Sequence, residues 1–339
     1  MTIKEIAALA QVSRSTVSRV LNNDPDVSED TRVRVKQVIE KINYHPNIAA
    51  RRLAGGHTGV IGLLMPMGVS TLFSDPYFSL IVQGVASASN SVDHTVVLWL
   101  AEPEFERRTI GQFLHNHIID GAIIASNLID DPLLKALTDS ELPFILIGRH
   151  PASAEVSYVD VDNQNAAFEM VSYLARTGFS QIATITGKLD MIAGFDRLAG
   201  YKQAMRHYNL PIQQKMIIEG DFSEQGGYNA MMKLLPAQPE AVFVASDTMA
   251  MGAIRAAHEC GRRVPEDISI AGYDDMPFAA SSNPPLTTIR QPVQQCGAIA
   301  AQTLIDMIDR PSATHHHIIL PTELVIRSSC GSPKFHPTH

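Results

Sequence analysis

Residues 3–22 read IKEIAALAQVSRSTVSRVLN and carry the pattern of two short helices. Thr2 and Glu5 have the spacing of a capping box, which predicts the start of the first helix. Ser13 is a good N-cap for the second. Only three residues separate the two helices, which is the spacing of a helix-turn-helix motif. Ser28 predicts the start of a third helix, whose apolar stripe has helical spacing: Val35, Val38, Ile39 and Ile42.

Charge is unevenly spread along the 339 residues. Residues 1–54 carry nine Lys or Arg and six Asp or Glu, a net charge of +3, whereas the whole chain carries −8, which leaves −11 for the remainder. This pattern indicates that only the amino-terminal segment contacts an anionic polymer. The polar face of the second helix is rich in hydrogen-bond donors: Arg14, Ser15, Ser18 and Arg19, followed by Asn22. Arginine can pair with guanine in the major groove, but an ordinary solvated helix face has the same pattern.

The segment after His45-Pro46 is short and ends in Gly55-Gly56. A helix this short is not stable alone in water. Residues 46–58 are therefore predicted to be a hinge helix and linker that orders only when another molecule holds it.

From residue 59 onward, short apolar runs alternate with longer amphipathic stretches. The runs suit buried parallel strands, which we predict at 60–65, 95–100, 121–125, 144–147, 181–186, 215–219, 241–245 and 268–271. Helices are predicted between most of them, for example at 163–176, 249–260 and 294–308. Repeated βα units indicate doubly wound sheets, and eight strands fit two sheets better than one. The predicted class is α/β, with an all-α headpiece (1–45), a two-sheet body (59–330) and a tail (331–339).

Composition argues against several kinds of protein. Cys260, Cys296 and Cys330 are the three cysteines, so a disulfide scaffold and a CxxC metal site are excluded. We expect a cytoplasmic protein with no membrane partner, because there is no signal-peptide pattern and the longest apolar run, 60–65, is too short for a membrane helix. No HExxH, Walker A, GxGxxG or GxSxG pattern occurs. We therefore expect no enzyme activity, no cofactor and no metal site.

Five motifs, in order, resemble those of the lactose/galactose repressor family. They are the run at 3–22 with YHPNIAARRLA at 44–54, FDRLAGY at 195–201, VASDTMAMG at 244–252, SIAGYDD at 269–275 and PPLTTIRQP at 284–292. The resemblance implies a transcriptional regulator, most simply a repressor of carbohydrate-utilisation genes. It also implies a homodimer that binds a palindromic operator. A tetramer is the weaker alternative, because no C-terminal heptad segment is visible.

The resemblance assigns DNA-binding roles to residues of the headpiece and hinge. Leu53 matches the hinge leucine that wedges into the minor groove, where an apolar side chain unstacks a base step. The positions that match base readers are Arg14, Ser15 and Arg19. Those that match phosphate contacts are Thr16, Ser18 and Asn22. Thr2, Asn47 and Ala50 complete the predicted set.

For the body, the resemblance implies two Rossmann-like lobes of periplasmic-binding-protein type. The amino-side lobe would span about 59–159 and 291–319, and the carboxyl-side lobe about 160–290 and 320–330. Effectors in such sheets bind at the carboxyl ends of the strands, between the lobes. The predicted effector-binding residues are Tyr77, Phe78, Ser126, Arg149, Arg197, Phe222, Asp247 and Asp274. Asp275, beside Asp274, is predicted to be a structural cap.

Three positions depart from the family pattern. Gly148-Arg149 stands where several sugar-responsive members have an aspartate, Ser246 replaces a frequent asparagine and Val293 replaces a frequent aromatic ring. These departures argue against a galactoside of the lactose type. A neutral glucoside or disaccharide is the first choice of effector, and a purine or a phosphorylated co-effector is the alternative. A periplasmic sugar-binding protein and a sugar kinase are the competing classes, but the headpiece and the missing phosphate loop speak against them.

Overall fold

A computed structural model describes residues 3–21, 24–42, 57–65, 69–100, 103–115, 118–125, 128–129, 132–150, 156–312 and 314–331. They belong to two compact units, Met1–Gly59 and Val60–His339. The first unit holds the predicted headpiece and the second holds the predicted body.

The headpiece has three helices in its described part: α1 (Ile3–Leu9), α2 (Arg14–Leu21) and α3 (Glu29–Lys41). Their apolar faces enclose a small core, whose buried members are Ile6, Ala7, Ala10, Val17, Val20 and Val35. Ser13 caps α2 as predicted, because its Oγ accepts the N–H of Thr16 at 3.1 Å. Ser28 precedes α3, but its hydroxyl donates to Thr31 Oγ1 at 2.9 Å instead of accepting a helix N–H. The predicted helix-turn-helix fold is confirmed, while the Thr2 capping box lies outside the described residues.

The body alternates strands and helices. The first half contains β1 (Val60–Met65), α4 (Val69–Ser74), α5 (Pro76–Asn90), β2 (Thr95–Leu100), α6 (Pro103–His115), β3 (Gly121–Ala125), α7 (Pro132–Asp139), β4 (Phe144–Ile147) and β5 (Ser157–Val161). Next come α8 (Asn163–Arg176), β6 (Ile182–Thr186), α9 (Ile192–His207), β7 (Ile217–Glu219), α10 (Glu224–Leu234), β8 (Ala241–Val244), α11 (Asp247–Glu259) and β9 (Ser269–Ala271). The last elements are β10 (Thr288–Arg290), α12 (Val293–Asp309), β11 (His317–Leu320) and β12 (Glu323–Val325).

The strands form two parallel sheets, each at the centre of one lobe. The amino-side lobe contains a six-stranded sheet in the order β11-β5-β4-β3-β1-β2, and the carboxyl-side lobe contains a four-stranded sheet in the order β7-β6-β8-β9. A small antiparallel pair joins β10 to β12. The chain therefore passes between the lobes after β5, between β10 and α12, and between β11 and β12. This is the two-lobed α/β fold that the resemblance implies.

Four strands of the structure were not predicted: β5, β10, β11 and β12. In β5 the sequence SYVDV places polar residues among the apolar ones, and β10 and β12 have only three residues each. Residues 215–216, predicted as strand, belong to a 3-10 helix (Gln214–Met216). The prediction that β2 is buried is wrong, because β2 lies at the edge of its sheet and several of its side chains are exposed.

Helices α5 and α12 pack closely on one face of the amino-side sheet. A Cβ atom at Gly84 of α5 would collide with the backbone oxygen of Gln294, and one at Gly297 of α12 would lie 2.6 Å from the oxygen of Ile81. Glycine at both positions allows the two backbones to touch. The contact fixes α12, which begins where the chain returns to this lobe, against the helix that carries Tyr77.

Candidate DNA-binding face and effector cleft

In the headpiece, α2 has one buried face and one exposed face. Val17 and Val20 are buried, whereas Arg14, Ser15 and Arg19 are exposed. Thr16 and Ser18 are partly exposed beside them. The predicted base readers therefore share one accessible face of a helix that is fixed by its apolar side. Thr2, Asn22, Asn47, Ala50 and Leu53 lie outside the described residues, so their roles stay predictions.

In the body, polar side chains gather where strands of the two sheets end. Arg149 follows β4 of the amino-side lobe, and Asp274 follows β9 of the carboxyl-side lobe. Arg197 lies in the second turn of α9, the helix that follows β6. The carboxyl ends of parallel strands are the usual position of ligand sites in such folds. Ser126, the predicted contact after β3, lies outside the described residues.

Arg197 is the centre of this group and is only 5% exposed. Its Nε donates to Asn163 Oδ1 at 2.9 Å and its Nη1 donates to the backbone oxygen of Ala245 at 2.5 Å. The same Nη1 lies 3.5 Å from Asp274 Oδ1. The guanidinium carbon lies 3.6 Å from the centre of the Tyr273 ring. Arg197 is thus held by four internal partners, which the sequence did not predict.

Asp274 is buried in an uncommon backbone conformation, with a φ of 117°. Its N–H donates to the backbone oxygen of Ile289 at 2.7 Å, and its Oδ1 accepts from Gln291 Nε2 at 2.5 Å. Burial raises the pKa of Asp274 well above its ordinary value, and the nearby Arg197 partly opposes this effect. The carboxylate therefore links the carboxyl-side sheet to the crossover segment at residue 291.

Asp247 differs from the expectation of a carboxylate that faces the cleft. It is fully buried at the start of α11, where its Oδ1 accepts from Thr288 Oγ1 at 2.6 Å and its Oδ2 accepts from the N–H of Met276 at 2.8 Å. Burial raises its pKa to about 7. Both oxygens are used inside the lobe, so in this conformation Asp247 joins β10 and the 276 loop to α11.

The three predicted aromatic contacts occupy different environments. Tyr77 is half-buried at the start of α5, and the charges of Asp274 and Arg197 both influence its pKa, which burial raises. Phe78 is buried in the core of the amino-side lobe, 5.3 Å from the Tyr77 ring. Phe222 follows β7 with a φ of 68°, and its half-buried ring covers Gly187, where a Cβ would collide with it. Tyr77 and Phe222 are therefore better placed than Phe78 to meet a ligand.

Asp275 has the structural role that was predicted, but through ion pairs instead of a helix cap. Its Oδ2 lies 2.7 Å from Arg290 Nε, and its Oδ1 lies 2.6 Å from Arg327 Nη2. These bonds tie the loop after β9 to β10 and to the segment after β12.

Comparison with known proteins decides the family. Residues 2–47 match the model of bacterial regulatory proteins of the lacI family, and residues 171–330 match that of the periplasmic binding protein-like domain. The HTH-type transcriptional regulator CelR of Thermobifida fusca is 37% identical over 332 residues, which are 97% of this chain and 98% of that protein. The HTH-type transcriptional repressor PurR of Klebsiella pneumoniae (strain 342) is 35% identical over 340 residues, or 98% of each chain. The chain belongs to the LacI family.

Solved structures agree with this assignment over the whole length. A complex of the transcriptional regulator CelR with cellobiose is similar with a TM-score of 0.78 and 35% identity, covering 97% of this chain and 99% of that one. The Lac repressor dimer bound to operator and the anti-inducer ONPF has a TM-score of 0.81 and 30% identity, covering 97% and 98%. This LacI-family chain is therefore a DNA-binding transcriptional regulator with an effector-binding body.

Several polar residues of the cleft were missed by the sequence analysis. Asp75 Oδ1 lies 3.5 Å from Thr248 Oγ1, which joins the amino-side lobe to the carboxyl-side lobe. Asp160 accepts from the N–H of Arg149 at 2.9 Å and from Asn163 Nδ2 at 3.1 Å. The signal for Asp160 and Asn163 was the stretch DVDN at the end of β5, but β5 itself was not recognised as a strand. The other missed residues are Asp196 and Gln291.

The described part of this LacI-family cleft is acidic. Four carboxylates are close enough to influence one another or the two arginines: Asp75, Asp160, Asp196 and Asp274. The guanidinium groups described there, those of Arg149 and Arg197, are both paired with aspartates. An anionic ligand would find neither of these guanidinium groups without a carboxylate partner, whereas a neutral polyol can donate hydroxyl protons to carboxylates.

Within the described residues, no helix is both long and apolar enough to cross a membrane. Those same residues contain no group of three or more His, Cys, Asp or Glu that could hold a metal ion.

Proposed function

We propose that this regulator represses carbohydrate-utilisation genes and that a neutral glucoside or disaccharide, bound between the lobes, controls its affinity for a palindromic operator in the cytoplasm. The observation that best supports this proposal is the acidic cleft, in which both described arginines already have carboxylate partners. Such a site favours uncharged hydroxyl groups over phosphate or carboxylate. The relative whose structure contains cellobiose supports the same class of ligand.

The test is a titration of the full chain with cellobiose, glucose 6-phosphate and hypoxanthine. We expect cellobiose to bind and to raise the unfolding free energy by about 2.7 kcal/mol at 100 times its dissociation constant. Glucose 6-phosphate is expected to give no stabilisation, because its phosphate would enter an acidic site. Stabilisation by hypoxanthine but not by cellobiose would contradict the sugar proposal and favour the purine alternative.

Coupling to DNA is tested with a palindrome that the protein selects from a pool of random duplexes. Fluorescence anisotropy then gives operator affinity with and without saturating cellobiose. Linkage requires that operator change sugar affinity by the same factor, which is typically ~5–150-fold in allosteric proteins. Equal cellobiose affinity with and without operator would mean that the cleft does not control DNA binding.

We further propose that the chain acts as a homodimer. The edge strand β2 exposes Val97 and Leu98, and nearby segments expose Phe105 and Ile118. An exposed apolar edge strand favours association with a second chain, which then covers the strand. Leu98→Glu should shift the sedimentation coefficient from dimer toward monomer. A wild-type protein that sediments as a monomer at micromolar concentration would contradict this proposal.

A further inference from the structure

The side chain of Arg149 joins the two lobes through a bidentate ion pair. Arg149 belongs to the amino-side lobe, whereas Asp196 lies on α9 of the carboxyl-side lobe. Arg149 Nε donates to Asp196 Oδ2 at 3.0 Å, and Arg149 Nη2 donates to Asp196 Oδ1 at 2.5 Å. Two parallel charge-assisted bonds make this one of the stronger kinds of polar contact.

The pair is part of a set of contacts at one edge of the cleft. The N–H of Arg149 donates to Asp160 Oδ2, which fixes the backbone that carries the guanidinium group. Close by in sequence to Asp196, the backbone oxygen of Asp190 accepts from the N–H of Ile129 at 2.8 Å. Leu128 also forms an antiparallel bridge with Met191. The loops after β3 and β4 thus meet the start of α9 at this edge.

The two partners differ in exposure, which indicates their different roles. The Asp196 side chain is 4% exposed, whereas the Arg149 side chain is 35% exposed. Nε and Nη2 of Arg149 are occupied by Asp196, while its Nη1 has no bonded partner among the described residues. Asp196 therefore fixes the guanidinium plane through Nε and Nη2 and leaves Nη1 out of the ion pair.

We propose that Asp196 is a positioning residue for the effector: it clasps Arg149 across the cleft, holds the lobes together before ligand arrives and presents Arg149 Nη1 to a ligand hydroxyl. This inference deepens the proposed sugar-binding function and rests on it. If the ion pair already holds the cleft closed, less of the binding free energy is needed to close it. The conformation that binds ligand is then more populated, and the apparent affinity is higher. Loss of Asp196 should then weaken ligand binding although Asp196 itself has no free oxygen to offer.

The chain provides a matched control in Arg263 and Asp267. Arg263 Nε donates to Asp267 Oδ2 at 2.9 Å and its Nη2 donates to Oδ1 at 3.1 Å, so the geometry is also bidentate. This pair lies on the surface within the carboxyl-side lobe and crosses no cleft. Asp267→Asn removes the same kind of interaction without touching the lobe contact.

The experiment compares Asp196→Asn, Asp196→Glu, Arg149→Met, the charge-swap variant Arg149→Asp/Asp196→Arg and Asp267→Asn. Cellobiose affinity is measured by calorimetry. Amide hydrogen exchange at Ile129, measured without ligand, reports the lobe contact. We expect Asp196→Asn and Arg149→Met each to weaken cellobiose binding about tenfold or more and to speed exchange at Ile129. Asp196→Glu should retain part of the wild-type affinity, and Asp267→Asn should change neither quantity.

The outcomes separate this inference from the function on which it rests. If wild type binds no sugar, the proposed function fails, but the exchange rates at Ile129 still test the clasp. A loss of affinity in Arg149→Met with wild-type affinity in Asp196→Asn would overturn the positioning role. So would an Ile129 exchange rate that Asp196→Asn leaves unchanged. If the amide of Ile129 exchanges more slowly in the charge-swap variant than in Asp196→Asn or Arg149→Met, the result would support the ion pair even if these single variants are less stable than wild type.

Discussion

Arg197→Met is expected to destabilise the protein strongly, because Arg197 is a buried structural centre as well as a predicted ligand contact. The substitution removes the cation that stabilises the ionised form of the buried Asp274 carboxyl. Removing one partner of a buried ion pair typically costs about 3–5 kcal/mol. It also leaves Asn163 Oδ1 and the backbone oxygen of Ala245 without their donor. We expect urea denaturation, followed by circular dichroism, to show a loss within this range.

Arg255→Ala is the matched control for this prediction. Arg255 also has an aromatic and a carboxylate partner, since it lies 4.5 Å from the Tyr228 ring centre and 3.3 Å from Glu224. Its side chain is 45% exposed, so its loss should change the unfolding free energy by no more than about 0.5 kcal/mol.

The double variant Arg197→Met/Asp274→Asn completes the test. Because it removes both charges, it should be more stable than Arg197→Met alone. A double variant no more stable than the single one would refute the view that the unpaired carboxylate causes the loss. So would equal losses for Arg197→Met and Arg255→Ala.

Two further predictions concern a buried acid and the headpiece. Burial raises the pKa of Asp247 to about 7, so the folded state keeps a proton that the unfolded state releases near pH 4. Asp247 therefore lowers the unfolding free energy as pH rises from about 4 to 7. Compared with wild type, Asp247→Asn should be more stable at pH 8 than at pH 4 in urea titrations, and the same pH dependence in both proteins would contradict this. Arg19→Ala should weaken binding to the selected operator by about 1–3 kcal/mol and relax base preference at one position per half-site; equal loss on all DNA sequences, measured by anisotropy, would instead assign Arg19 to the phosphate backbone.

Much of the scaffold could be predicted from local pattern. Helix α8 and the strands β1, β3 and β4 have the predicted bounds, because each is a continuous apolar run or an amphipathic stretch between clear turn residues. The strands β5, β10, β11 and β12 gave no such signal. Their pairing depends on neighbours that are distant in sequence, and a local pattern does not contain that information.

The candidate site could be predicted only as a set of positions. Residues after strand ends were expected at the cleft, and Arg149 and Asp274 are found there. Their partners could not be predicted, since contacts such as Asp75 with Thr248 join residues 173 positions apart. Burial also changed the interpretation of Asp247 and Phe78, because a strand-end acid and a helix aromatic have the same sequence signal whether they face a ligand or the core.

The bonds within the family motifs explain why the family is easier to assign than the effector. The motif residues Arg197 and Asp274 form an ion pair at 3.5 Å, and Asp247 accepts a hydrogen bond from Thr288 of another motif. These contacts join segments of the carboxyl-side lobe that are distant in sequence, so the motif residues have a structural role in this chain. Arg149, in contrast, occupies a position where the family resemblance predicts a difference from several sugar-responsive members, and its pairing with Asp196 is one of the contacts that cross the cleft. Substitution of Arg149 should therefore change which ligand binds, with a smaller loss of unfolding free energy than substitution of Arg197. Comparing the change in ligand preference with the change in stability for each residue distinguishes a residue that selects the ligand from one that supports the structure of the site.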